Sequence, residues 1–118
     1  MNHFVFVYGS LKRGHYNHAL LAAARFVCDA KTAPEYRLFD AGYYPAMVED
    51  RAGISIQGEV FEVDDPMLAR LDRLEGHPDY YRRERIEVEG FDRPVWGYLF
   101  TRETEGLRDC GASWEPKE

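Results

Sequence analysis

The run Val5-Phe6-Val7-Tyr8-Gly9-Ser10-Leu11-Lys12-Arg13-Gly14 constrains the fold more than any other segment of this chain. From His3 to Tyr8 the pattern is apolar without alternation, so the strand it forms must be covered on both faces. That places it inside a sheet, between layers, rather than at an edge. The strand then runs into a Gly-bearing turn with a basic flank. Backbone amides in such a turn cradle an anion at the strand end. Gly9 permits the sharp bend or a close approach to a ligand.

Composition narrows the setting. With 118 residues the expectation is one domain over 1–118, large enough for a core without staples. The tail from Gly106 to Glu118 reads as a loop, with Trp114 as an anchor folded back on the domain. Fifteen basic against 21 acidic side chains leave a formal charge of -6. That argues against nucleic acid or an anionic membrane as partner. No stretch approaches transmembrane length, and the apolar start is too short for a signal-peptide core. Cys28 and Cys110 lack CxxC spacing, and two reduced thiols in a cytoplasmic protein are expected.

Along the chain the pattern predicts strands at 3–8, 25–32, 36–39, 44–48, 54–63, 81–89 and 95–101. Gly58 marks a bulge or a close approach within one of them. A short helix is expected over His18 to Ala24 with Asn17 as cap. The clearest helix runs from Pro66 to Glu75, capped by Asp65 and stopped by Gly76. Strands dominate and do not alternate with helices. The expected fold is α+β: a small mixed β-barrel of about six strands with two short helices.

The helix carries an anomaly. Residues seven apart on a helix nearly eclipse, within ~20°. Glu75 therefore lies over Leu68 and close to Leu71, at the edge of an apolar stripe of Met67, Leu68, Leu71 and Leu74. Arg70 and Arg73 face away. Desolvation and the C-terminal end of the helix dipole both disfavour a carboxylate there. A carboxyl that moves protons both ways works best with a pKa of roughly 6 to 7. Two readings stay open on residue pattern alone: Glu75 is an acid–base group, or it pairs with Arg82 or Arg83.

Other candidates are weaker. Glu59 shares a strand face with Phe61 and Val63, and an ion pair with Arg83 or Arg85 explains it more simply than catalysis. Ser10 lacks the GxSxG elbow of a hydrolase nucleophile. The turn also lacks the Gly-Lys-Ser/Thr of a phosphate-binding loop. His15 and His18 have no third ligand for a metal, so none is expected. Lys12 and Arg13 read as a solvated turn, or as an attractor for anionic substrates. Among the many tyrosines, including Tyr8, Tyr43, Tyr44, Tyr80, Tyr81 and Tyr98, one or two are expected to line a polar pocket.

Taken in order, VFVYGSLKRG, Asn17-His18, Gly42-Tyr43-Tyr44-Pro45-Ala46, GEVFEV, LDRLEG and Tyr81-Arg82-Arg83 resemble the gamma-glutamylcyclotransferase-like family, within its gamma-glutamylamine cyclotransferase and AIG2-like group. The resemblance implies a small mixed barrel in which the YGSL turn and the LEG acid meet in one pocket. It implies release of 5-oxoproline from a small gamma-glutamyl compound without a cofactor. Carried over, Tyr8, Gly9, Ser10 and Leu11 hold the glutamyl group with Tyr81 beside them, and Glu75 transfers the proton. The alternative is a non-catalytic module on the same scaffold that binds a small carboxylate, because a pocket alone does not establish turnover.

Overall fold

The computed structural model describes residues 2–9, 11–14 and 18–115. Its elements in chain order are β1 (Asn2–Val7), β2 (Arg25–Lys31), β3 (Tyr36–Asp40), β4 (Pro45–Glu49), β5 (Gln57–Asp64), α1 (Asp65–Glu75), β6 (Tyr81–Ile86), β7 (Val95–Phe100) and β8 (Arg108–Asp109). The apolar run forms β1, at the middle of a five-stranded sheet of order β2-β5-β1-β7-β6. It pairs antiparallel with β5 and parallel with β7, Phe4 opposite Val95. A three-stranded sheet, β4-β3-β8, lies apart.

Both faces of β1 are covered, as its composition requires. Val5 and Val7 enter a core with Phe61, Met67, Leu68 and Leu71, beneath α1. Phe6 and Tyr8 enter a second core with Leu38, Met47, Ile56 and Trp114, beneath the three-stranded sheet and the tail. Trp114 is only 2% exposed, so the expected anchor is in place. The architecture is therefore a mixed α+β sandwich of layers, and the tail is part of its second core.

A closed barrel does not form. The edge strands β2 and β6 meet only past their ends among the described residues, at one bridge between Thr32 and Val88. There Ala33 N–H donates to the Glu87 carbonyl (3.0 Å) and Glu89 N–H to the Lys31 carbonyl (2.9 Å). Closure needs a continuous edge-to-edge ladder with a fixed stagger. Here β3 and β4 leave to build their own sheet over the core instead. The second expected helix is also absent. His18–Leu21 is a single 3-10 turn, in which Leu21 alone is buried. So short a segment gains too few bonds to offset helix nucleation.

The one α-helix among the described residues is α1, and it starts one residue early. Asp64, not Asp65, is the cap, and its carboxylate accepts the Met67 N–H at 2.9 Å. Asp65 turns to His3 instead. Gly76 ends the helix in the left-handed region at φ 67°. Met67, Leu68 and Leu71 are buried, but Leu74 is 42% exposed and falls outside the stripe. Gly58 is a close approach, because a Cβ there would sit 2.4 Å from the Val7 carbonyl oxygen. The bulge lies on β2 instead, between Phe26 and Cys28, opposite Phe61 and Val60. No helix among the described residues is long and apolar enough to cross a membrane.

Candidate active site

The end of β1 and the end of α1 converge. Past Val7 the chain turns at Gly9, and the Lys12 N–H closes the turn on the Gly9 carbonyl at 3.0 Å. Glycine is required there, since a Cβ would stand 2.7 and 2.8 Å from Cγ and Cδ of Pro45. A small cavity of ≈ 50 Å³ opens beside this turn. Tyr8, Gly9, Leu11, Tyr81 and Glu75 all line it, together with Tyr44, Pro45 and Tyr98. The expected site residues are thus brought together, except Ser10, which lies outside the described residues, as do His15 and the expected cap Asn17.

Glu75 enters this cavity as the last residue of α1, half-buried at the level of the whole residue but with its carboxyl enclosed. Among the described residues no hydrogen bond or ion pair reaches it. The expected arginine partners are engaged elsewhere. Arg82 bonds Glu84 at 2.9 Å. Arg83 clamps Asp72 through two bonds of 2.8 and 3.3 Å. Burial raises the Glu75 carboxyl from an ordinary 4.5 to about 7.

Three of the four phenols that line the cavity are bonded away from the carboxyl. A tyrosine has one O–H to donate. The Tyr8 hydroxyl donates to the Tyr98 carbonyl. The Tyr81 hydroxyl donates to the Pro45 carbonyl at 2.5 Å. The Tyr98 hydroxyl donates to Asp72 Oδ1 at 2.7 Å. Each phenol is held protonated well above its usual range, by burial first, with the charge of Glu75 adding to it. Spent donors around a desolvated carboxyl leave its ionised form without support.

At the mouth stands an aromatic cluster. Tyr44 and Tyr80 share a hydrogen bond between their hydroxyls. Tyr80, Tyr81 and Phe100 meet at ring-centroid distances of 5.5 to 5.6 Å. Tyr43, next to Tyr44, projects outward with 84% of its surface exposed.

Other sequence candidates lie elsewhere. Glu59 does pair with an arginine, but with Arg13, accepting from its backbone N–H at 2.8 Å and from Nε at 3.1 Å. Arg83 and Arg85 are not its partners. Arg13 also bonds Asp29 at 2.9 Å and stacks over Phe26 at 3.7 Å. Lys12 is not solvated: it is 9% exposed and its Nζ donates to the Trp114 carbonyl at 3.3 Å. The His18 ring nitrogen Nδ1 meets the Leu11 carbonyl at 3.0 Å. Among the described residues no three His, Cys, Asp or Glu side chains are grouped to hold a metal. Sequence reasoning missed Asp72. Its signal was the three-residue spacing to Glu75, which puts both on one helix face.

The family described as Gamma-glutamyl cyclotransferase, AIG2-like matches residues 5–116. A Vibrio cholerae protein provisionally named a gamma-glutamylcyclotransferase is 41% identical over 111 residues, 94% of this chain and 95% of that protein. The gamma-glutamylaminecyclotransferase of Bos taurus is 39% identical over 110 residues, 85% of this chain and 66% of that protein. An AIG2-like protein of Mus musculus has a similar solved structure, with a TM-score of 0.81 at 27% identity over 99% of this chain and 97% of that one.

Proposed function

Because the chain belongs to the gamma-glutamyl cyclotransferase, AIG2-like family, we propose that it releases 5-oxoproline and a free amine or amino acid from a small gamma-glutamyl compound. Glu75 is the acid–base group of this reaction. The observation that carries the reading is its carboxyl, enclosed beside the β1 turn, with no charged partner among the described residues and a pKa pushed up to about 7 by burial.

The chemistry asks for one such group. The substrate's α-amine attacks its own γ-carbonyl carbon and forms the C–N bond of a five-membered lactam. Attack is intramolecular, so the protein needs only to select the folded conformer. The amine is mostly protonated at neutral pH, and ionised Glu75 accepts its proton. The γ-carbon to leaving-nitrogen bond then breaks, and Glu75 returns the proton to the departing amine. A carboxyl titrating near 7 serves both steps, where an ordinary glutamate would be a poor acid.

Binding falls to the turn. The amides of Ser10 and Leu11 hold the substrate's carboxylate or the oxyanion that develops at the γ-carbonyl. Gly9 lets the turn lie against Pro45, and Tyr8 and Tyr81 wall the glutamyl group. The ≈ 50 Å³ cavity holds a reacting group rather than a whole substrate, so the leaving amine lies outward, along the aromatic mouth. No cofactor takes part. Both thiols are free, which supports a cytoplasmic site of action.

The test is mass-spectrometric detection of 5-oxoproline from a panel of gamma-glutamyl amino acids, gamma-glutamyl-ε-lysine, simple gamma-glutamyl amines and glutathione. Product from wild type and none from Glu75→Gln is the expected result. Saturable binding across the panel without product from either protein would replace the enzyme with a carboxylate-binding module.

A further inference from the structure

Among the described residues no donor reaches the Glu75 carboxyl, and Asp72 accepts the hydrogen bond of one phenol beside it. The two carboxyls stand three residues apart on α1, with Cβ atoms about 5–6 Å apart on one face of the helix. The Tyr98 side chain reaches both places. It lines the cavity that Glu75 enters, and its hydroxyl donates to Asp72 Oδ1 at 2.7 Å. Arg83 fixes that acceptor with a fork of 2.8 and 3.3 Å and lies over the Trp96 ring at 4.4 Å. A phenol has one proton, so a hydroxyl committed to Asp72 cannot also support a carboxylate at Glu75.

We propose that Asp72, clamped by Arg83, is a positioning residue that holds the Tyr98 hydroxyl off Glu75 and so withholds that hydrogen bond from the acid–base carboxyl. The kinetic consequence rests on the role assigned to Glu75 above, but the geometry does not.

The surroundings leave few rivals for this role. From β1 Tyr8 faces Glu75, from β6 Tyr81, and from the segment ahead of β4 Tyr44. The protons of Tyr8 and Tyr81 go to backbone carbonyls, and the Tyr44 hydroxyl is paired with that of Tyr80. Arg83 of β6 reaches this end only through Asp72, and His77 beyond the helix accepts the Arg83 N–H at 2.9 Å. The strand β5 also packs on α1, but turns Glu59 to Arg13, Glu62 to Arg25 and Asp64 to the helix start. Of the four phenols that line the cavity, only Tyr98 donates to a carboxylate, and that carboxylate is one helical turn from Glu75.

The experiment follows the Glu75 carboxyl carbon by ¹³C NMR across pH, which reads its midpoint with or without turnover. The pH profile of kcat/KM is the second readout. Wild type is expected to titrate near 7. In Asp72→Ala the Tyr98 hydroxyl is released to Glu75, and the midpoint falls by about one pH unit, tenfold in proton affinity. Tyr98→Phe keeps the wild-type midpoint, and the double variant Asp72→Ala/Tyr98→Phe returns to it. A double variant that stays low would overturn the proposal, because the freed Arg83 charge would then be the cause. So would an unchanged midpoint in Asp72→Ala, or an ordinary glutamate midpoint in wild type. If Asp72→Ala does not fold, Asp72→Asn decides, since it keeps the acceptor and loses the charge. An unchanged midpoint there supports the proposal, and a lowered one refutes it. A correct titration pattern with no 5-oxoproline would spare this inference and sink the enzymatic reading.

Discussion

Replacing Glu75 by glutamine should stabilise the protein, and only at the pH where the glutamate is charged. The folded pKa is about 7 against an ordinary 4.5. At about 1.36 kcal/mol per pH unit, that difference makes the ionised side chain cost the fold about 3 kcal/mol. The penalty is absent below pH 4.5, grows between 4.5 and 7, and is complete above 7. The neutral amide has no such dependence. Urea denaturation of wild type and Glu75→Gln at pH 4, 6 and 8 measures it. The variant's advantage should be near zero at pH 4 and approach about 3 kcal/mol at pH 8, roughly 10 °C in Tm for a domain of this size. Acid-sensitive pairs such as Glu62 with Arg25 and Asp65 with His3 weaken on acidification in both proteins, so they cancel in the difference. A pH-independent difference, or a variant less stable at pH 8, would refute the reasoning. Either result would mean that ionised Glu75 has a partner that supports it.

Two further outcomes test the frame around the site. Gly58→Ala places a Cβ 2.4 Å from the Val7 carbonyl oxygen, which is backbone and cannot swing aside. It should cost at least about 1–3 kcal/mol by denaturant melt, and a neutral effect would mean that β1 and β5 are not so close in solution. Trp114→Ala empties a fully buried position beside Leu38 and Met47. A loss of about 3–5 kcal/mol is expected by the same assay, and a negligible one would mean that the tail is not docked.

Local physics was legible in the sequence, and distant pairing was not. The helix over α1 could be read because its first-turn proline and stop glycine lie within a dozen residues and its stripe has one period, although the cap is Asp64 rather than the expected Asp65. Glu75 stood out for the same reason: its neighbours on the helix face are set by spacing alone. The double burial of β1 followed from its unbroken apolar run. The barrel was wrong because closure depends on which edges meet, and Thr32 finding Val88 is written nowhere in either segment. Arginine partners failed in the same way. Glu59 found Arg13 rather than Arg83, and Arg83 found Asp72, because β1 and β6 are placed by topology. Lys12 looked solvated until Trp114, a hundred residues on, covered it.

The position of β1 also decides when the site can come into being. Its partners are β5 and, with Phe4 opposite Val95, β7. Pairings so far apart in the chain close large loops before they gain contacts, which slows folding and leaves the transient chain exposed. The turn at Gly9 is therefore held by strands that arrive late, while the helix bearing Glu75 forms from neighbours. A chain interrupted before Val95 would carry every residue of the turn and the acid, and still hold the turn on a strand with one open edge.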